Sequence, residues 1–169
     1  MNDEFKIDRK KLLEIGKVKN EDVLDIGAGD LALIAAKEFN CKVTSIDISE
    51  KVLEEGNSRV KRKDLTDKVK LEKEDATDLS YDDNSFSTVI SYGALHHNPK
   101  EKRSKFIEEA FRVCKNKIII SEFKPQHHIH PGDVHPPVDH DWMTKKLNQF
   151  SEVKRFFGKE KILYICFLD

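Results

Sequence analysis

Apolar residues fall along the chain in two rhythms that alternate with each other. Short apolar runs recur at 22–26, 43–47, 86–91 and 117–122, with the length and β-branched content of buried strands. Between them, apolar positions recur three or four residues apart, which is helical spacing. The pattern predicts a short helix over 8–16 that turns Leu12, Leu13 and Ile15 inward, a strand at 22–26, and a helix around 31–39. A strand at 43–47 leads to a helix that Ser49 can cap, because its hydroxyl accepts from the first free amides. Strands follow at 68–72 and 86–91, then a helix near 100–114 with Phe106, Ile107, Ala110 and Phe111 on one side, and a strand at 117–122. The last forty residues predict a helix near 141–149 and two strands, 153–157 and 162–168. Strand–helix alternation predicts an α/β, doubly wound, mostly parallel sheet. The final two strands have no helix between them and predict an antiparallel hairpin at one edge.

Composition narrows the picture little. The 169 residues predict a single domain over 1–169, long enough to bury roughly two-thirds of its unfolded surface. Lys+Arg 30 against Asp+Glu 31 advertises no nucleic-acid partner. The charge-rich stretches 59–73 and 145–161 interleave both signs, as solvated faces do. No apolar run approaches the roughly 20 residues of a membrane span, and the charged start is not expected to act as a signal peptide. Cys41, Cys114 and Cys166 are scattered, odd in number and without metal spacing, which predicts reduced thiols in a cytoplasmic protein.

The chemistry begins at Val23-Leu24-Asp25-Ile26-Gly27-Ala28-Gly29-Asp30, with a second acid, Asp47, twenty-two residues after Asp25. An apolar run ending in Gly-x-Gly, a helix, and a second apolar run ending in an acid read as a βαβ unit. Glycines let backbone approach a ligand closely, and the second acid can accept from a ribose diol. Asp25 and Asp30 flank the loop and would repel a pyrophosphate, but they suit a ligand carrying an ammonium and a sulfonium. Ala32 fills the last small position of a dinucleotide fingerprint, so a nucleotide site of that kind stays open as an alternative.

Downstream segments extend the pattern. Glu74-Asp75-Ala76-Thr77-Asp78-Leu79, Ser91-Tyr92-Gly93-Ala94-Leu95-His96-His97-Asn98 and Ile118-Ile119-Ile120-Ser121-Glu122-Phe123-Lys124-Pro125 follow in order. With the glycine loop, these resemble the class I S-adenosylmethionine-dependent methyltransferases, specifically the small-molecule branch that includes ubiquinone/menaquinone-type enzymes. The resemblance covers about residues 10 to 122 and implies a seven-stranded, Rossmann-like sheet with S-adenosyl-L-methionine as cofactor. It implies that Asp25 with Gly27, Ala28 and Gly29 lines the methionine moiety, that Asp47 binds both ribose hydroxyls, and that Ile48 packs on adenine. It further implies that Asp75 accepts from the adenine amino group and Ala76 offers a backbone amide; Asp75 as a mere turn acid stays open. Ser91 is expected to project at the same strand ends. The family often has a third glycine near Leu31; this chain has none.

Methyl transfer needs alignment and exclusion of water more than a fixed catalytic set. His96 and His97 follow the fourth strand, and either could serve as a base where the nucleophile must lose a proton; capping or packing is the alternative. The Asn/Asp-Pro-Pro-aromatic run of the family's nucleic-acid and glutamine N-methylating branch is absent here. Residues 124–140 form a His/Pro-rich loop holding five of the seven histidines and four prolines. His128, His130, His135 and His140 are its candidate ligands for a divalent transition metal; the alternative is a lid over the acceptor site. The expected function is methyl transfer to a small-molecule acceptor, at a site that a large substrate or a second copy in a homodimer could close. The rival expectation is a cofactor- or metal-binding protein without turnover, a sensor or assembly partner.

Overall fold

The computed structural model describes residues 5–128 and 132–169. Its elements run α1 (Arg9–Ile15), β1 (Asp22–Ile26), α2 (Asp30–Glu38), β2 (Lys42–Asp47), α3 (Glu50–Arg62), β3 (Val69–Lys73), β4 (Phe86–Tyr92), α4 (Arg103–Val113), β5 (Cys114–Phe123), α5 (His140–Asn148), β6 (Val153–Phe157) and β7 (Lys161–Phe167). The strands form one seven-stranded sheet in the order β3-β2-β1-β4-β5-β7-β6. β1 to β5 pair in parallel, while β7 pairs antiparallel with both β5 and β6. The α/β doubly wound sheet and its C-terminal hairpin are as the pattern predicts.

Alternation along the strands builds two cores, one on each face. Leu24, Ile26, Ile118, Ile120 and Tyr164 pack with Phe106, Ile107, Met143 and Leu147 of α4 and α5. Val23, Ile119, Leu163 and Ile165 point the other way, onto Leu12 and Leu13 of α1, Leu31 and Ala35 of α2, and Val60 of α3. A strand with helices on both faces must be apolar on both, hence the near-continuous apolar runs. Helix starts follow side-chain caps: Asp8 accepts from Lys11 N–H at 2.8 Å, Ser49 from Val52 N–H at 3.3 Å, and Asp139 from Asp141 and Trp142 N–H at 2.9 and 3.0 Å.

Three departures from the expected elements matter. β5 begins at Cys114, three residues earlier than the apolar run, because the chain leaves α4 directly into pairing with Phe86 across an irregular register. The helix expected from about 100 starts at Arg103, after 3₁₀ turns at Leu95–His97 and Lys100–Lys102 separated by Pro99. Within the 124–140 loop, Pro125–His127 forms a further 3₁₀ turn. Among the described residues, no helix is long and apolar enough to cross a membrane, and the three cysteines are buried and free.

Ile119 is fully buried mid-sheet. Ile119→Ala should cost about 2–5 kcal/mol of stability through lost packing and the cavity left behind. Urea unfolding should show a lower midpoint with an unchanged slope.

Candidate cofactor and acceptor site

The strand order reverses between β1 and β4, and a crevice opens beyond their carboxyl ends, as it does in open α/β sheets. Gly27 sits there at φ +95°, and a Cβ on it would lie 2.8 Å from the Cβ of Ala94. Only glycine combines that left-handed turn with that approach. Its N–H donates to Ile46 O at 2.9 Å, tying the loop to the end of β2. A Cβ on Gly29, by contrast, would meet nothing within 4 Å, so the loop presents bare backbone to open space. The position where a third glycine was considered is a buried Leu31 in the α2 core, so the turn closes without it.

The crevice holds a cavity of about 330 Å³, within the roughly 300–1,000 Å³ of small-molecule sites. Ile26, Ile46, Ile48, Val52 and Phe106 supply its apolar wall, and Asp47, Glu74 and Asp75 its charge, with Gly27, Ala76, Ala94, His97 and Asn98 completing it. Asp47 Oδ2 accepts from Ala28 N–H at 3.2 Å and Oδ1 from Ser49 N–H at 2.9 Å. Both oxygens are thereby fixed, and each keeps a further lone pair. Ile48 is 64% exposed, an unusual position for an isoleucine unless something covers it. Asp75 uses Oδ1 to accept from both N–H and Oγ of Thr77, and these bonds hold its carboxyl below the usual range.

Sequence expectations and geometry part company at several residues. Asp25 and Ser91 are buried in β1 and β4 and are not on the cavity wall. Asp25 accepts from Ser45 Oγ at 2.8 Å, and burial pushes its carboxyl up to about 7. Asp30 leaves the loop to face Arg59 of α3 at 3.4 Å. His97 lines the cavity; His96 stands behind it, Nδ1 3.0 Å from Oε2 of Glu122. Ile26, Ile46, Val52, Glu74, Ala94, Asn98 and Phe106 were not named as site residues, although Glu74, Ala94 and Asn98 stand in the segments quoted for the family resemblance.

Of the four histidines expected as metal ligands in the loop, the structure describes His128, His135 and His140, and among the described residues none of the three belongs to a group of three possible ligands. Both ring nitrogens of His140 are engaged, Nδ1 with Tyr164 Oη at 2.5 Å and Nε2 with Phe123 O at 2.8 Å, so it is a structural residue at the start of α5. His128 meets the backbone carbonyl of His135, at 3.3 Å from Nε2. His130 lies outside the described residues. The segment 132–140 is instead drawn toward His96 by Arg103. This guanidinium is 2% exposed and donates to the carbonyls of His96 and Asn98 on one side and Pro136 and Pro137 on the other, at 2.5–3.1 Å.

A crevice with these acids, on this sheet order, defines a Rossmann-like methyltransferase fold. Residues 23–117 match the family model described as a methyltransferase domain. The chain therefore belongs to that family, of the class I S-adenosylmethionine-dependent kind. It is 40% identical over 95 residues to 27-O-demethylrifamycin SV methyltransferase of Amycolatopsis mediterranei, covering 55% of this chain and 34% of that one. It is 30% identical over 111 residues to demethylmenaquinone methyltransferase of Bacteroides fragilis, covering 63% and 44%. The matched region thus spans less than half the length of these relatives. Among solved structures, magnesium protoporphyrin IX methyltransferase of Synechocystis with bound SAH superposes with TM-score 0.77 at 19% identity, over 95% of this chain and 80% of that one. A SAM-dependent methyltransferase of Aquifex aeolicus gives TM-score 0.75 at 22% identity, over 96% and 90%.

The buried acid yields a pH signature. Folded Asp25 keeps its proton up to about 7, whereas an ordinary carboxyl loses it near 3.8. Between those values the folded chain binds more protons than the unfolded one, so this group's contribution to stability falls as pH rises through the window. Asp25→Asn removes the effect. The stability of wild type minus variant should fall by up to about 4 kcal/mol between about pH 4 and pH 7, then level off. Denaturant unfolding of both proteins across that range checks it; a flat difference would mean that folded Asp25 is already ionised.

Proposed function

We propose that the chain binds S-adenosylmethionine in the β1–β4 crevice and catalyses transfer of its methyl group to a small-molecule acceptor. The single observation that carries this reading is Asp47, fixed by two backbone amides at the end of β2 with both oxygens held at the cavity. Two hydroxyls of a ribose can donate to such a carboxylate, each bond contributing roughly 1.5–3 kcal/mol. Ile48 would cover one adenine face and Asp75 would accept from its amino group, beside the Ala76 amide. Gly27 to Gly29 would run along the methionine moiety. Asp25, behind the loop, would gain a cationic neighbour in the ligand's ammonium and give up its proton more readily.

The cofactor brings a methyl group on a sulfonium, a good leaving group, so the chain's own task is alignment and dryness. The apolar wall of Ile26, Ile46, Val52 and Phe106 supports exclusion of water. The acceptor would approach over His97 and the 132–140 segment, where Arg103 holds the two together. His97, as the histidine on the wall, is the better placed of the pair to take a proton from a hydroxyl or thiol acceptor. The names of the relatives, a rifamycin and a demethylmenaquinone methyltransferase, support a small-molecule acceptor. Three buried, free cysteines support a reducing, cytoplasmic setting. Binding without turnover is the rival reading.

Calorimetric titration with S-adenosylhomocysteine should give one site, weakened at least about tenfold by Asp47→Asn with the fold retained. Formation of S-adenosylhomocysteine from S-adenosylmethionine with a pool of phenolic, thiol and amine acceptors should follow. Binding without product across the pool would favour the sensor reading; absence of binding by folded protein would end the cofactor assignment.

A further inference from the structure

Beside the cavity lies a cluster that the proposed function uses only through His97. His96 is 2% exposed, and its Nδ1 faces the buried carboxylate of Glu122, which also accepts from His96 N–H at 3.2 Å and from Phe123 N–H at 3.3 Å. A proton on Nδ1 toward this carboxylate gives the tautomer whose Nε2 can ligate. That Nε2 lies 3.9 Å from Oδ2 of Asp133. Nδ1 of His97, 63% exposed, lies 3.5 Å from Oδ1 of the same carboxylate. One ligating atom from each of the three residues falls within 4.8 Å of the others. Ligands about 2.0–2.2 Å from a tetrahedral ion stand roughly 3.3–3.6 Å apart, so the side chains need only small rotations to close on one.

The second observation is Asp133 itself. Its side chain is 15% exposed, and its Oδ2 is buried with no hydrogen-bond donor among the described residues. The surrounding imidazoles of His96, His97 and His128 stand 3.5–3.9 Å away. A buried carboxylate oxygen without a donor is costly unless a cation satisfies it. Glu122 behind His96 is the outer carboxylate that orients a ligating histidine and fixes its tautomer. Two imidazoles and one carboxylate suit zinc, iron(II) or nickel better than magnesium or calcium.

We propose that His96 Nε2, His97 Nδ1 and Asp133 bind one divalent transition ion of the zinc class, with the remaining coordination position open toward the cavity that His97 lines. His128, its ring edge-on to His96 at 4.8 Å between centroids and its Nε2 near His135 O, stands beside the set. The site rests on this geometry alone. Its use, holding an oxygen or sulfur donor of the acceptor in deprotonated form, rests on the methyltransferase reading, and there His97 is a ligand in place of a base.

The test is titration of the chelator-treated, dialysed full chain with Zn²⁺ in competition with a chromophoric chelator. One equivalent should bind. Glu122→Gln should weaken binding about 10–100-fold, Asp133→Asn at least as much, and His135→Ala not at all. Circular dichroism of the metal-free variants checks folding. Should Glu122→Gln unfold, Asp133→Asn, on a surface segment, carries the test. Absence of saturable binding by folded wild type, binding indifferent to Asp133→Asn, or binding lost with His135→Ala would each overturn the assignment. S-adenosylhomocysteine binding is measured on the same metal-free protein. Zinc bound without it retains the site and removes its acceptor role, and the reverse result removes the metal site alone.

Discussion

The close approach of β1 and β4 at their carboxyl ends is the constraint on which the binding face depends. Gly27 can lie against Ala94 only because it has no side chain and can hold φ +95°. That one contact aligns two things. On the β1 side it brings the amide of Ala28 within 3.2 Å of Asp47, so the glycine loop and the acid at the end of β2 form one hydrogen-bonded unit. On the β4 side it launches the chain from Ala94 into the 3₁₀ turn that carries His96 and His97. Any side chain at 27 would separate the strand ends and uncouple the pocket from the histidines.

Charge then selects among the ligands such a crevice could take. Asp47, Glu74 and Asp75 line the cavity, and Asp25 lies buried behind the loop with its ionisation pushed up to about 7. A pyrophosphate would meet three carboxylates there, with no lysine or arginine among the lining residues. A ligand whose adenosine is neutral and whose far end is cationic meets complementary charge instead. Asp30 weighs less in this than its place in the sequence suggests, because Arg59 already faces it. On the proposed reading, the preference for a cation would come from the strand ends, where dielectric screening is weakest.

The sheet was legible because its information is local. Short apolar runs and helical spacing identified the strands and most α-helices within a few residues, the cap at Ser49 marked the start of α3, and Gly27 acts as its residue type dictates. The family resemblance singled out Asp47, Ile48, Asp75 and Ala76, and the structure places all four on the cavity wall. What escaped is what depends on contacts between distant segments. Nothing local distinguishes His140, which spends both nitrogens on Tyr164 and Phe123, from a histidine free to ligate. Nothing local joins Asp133 to His96 and His97, thirty-six or more residues earlier. Composition alone marked the loop as chemically rich; it could not say which of its groups face inward.

The agent of that joining is Arg103. A guanidinium buried at the start of α4 must have its donors satisfied, and it meets four neutral carbonyls, two from His96–Asn98 and two from Pro136–Pro137. Burial lowers its pKa and the charge of Glu122 works against that, so the cation is held partly by the same carboxylate that orients His96. Freeing the 132–140 segment would leave a buried charge with half its acceptors, a loss of several kcal/mol. A segment pinned at that cost is poorly suited to swing open and shut with each turnover. Two prolines at the pinned positions stiffen it further. On the proposed reading the acceptor would meet a preformed wall of His97, Asp133 and the Pro136–Pro137 backbone, and selection would rest on the chemistry of that wall more than on the closing of a lid.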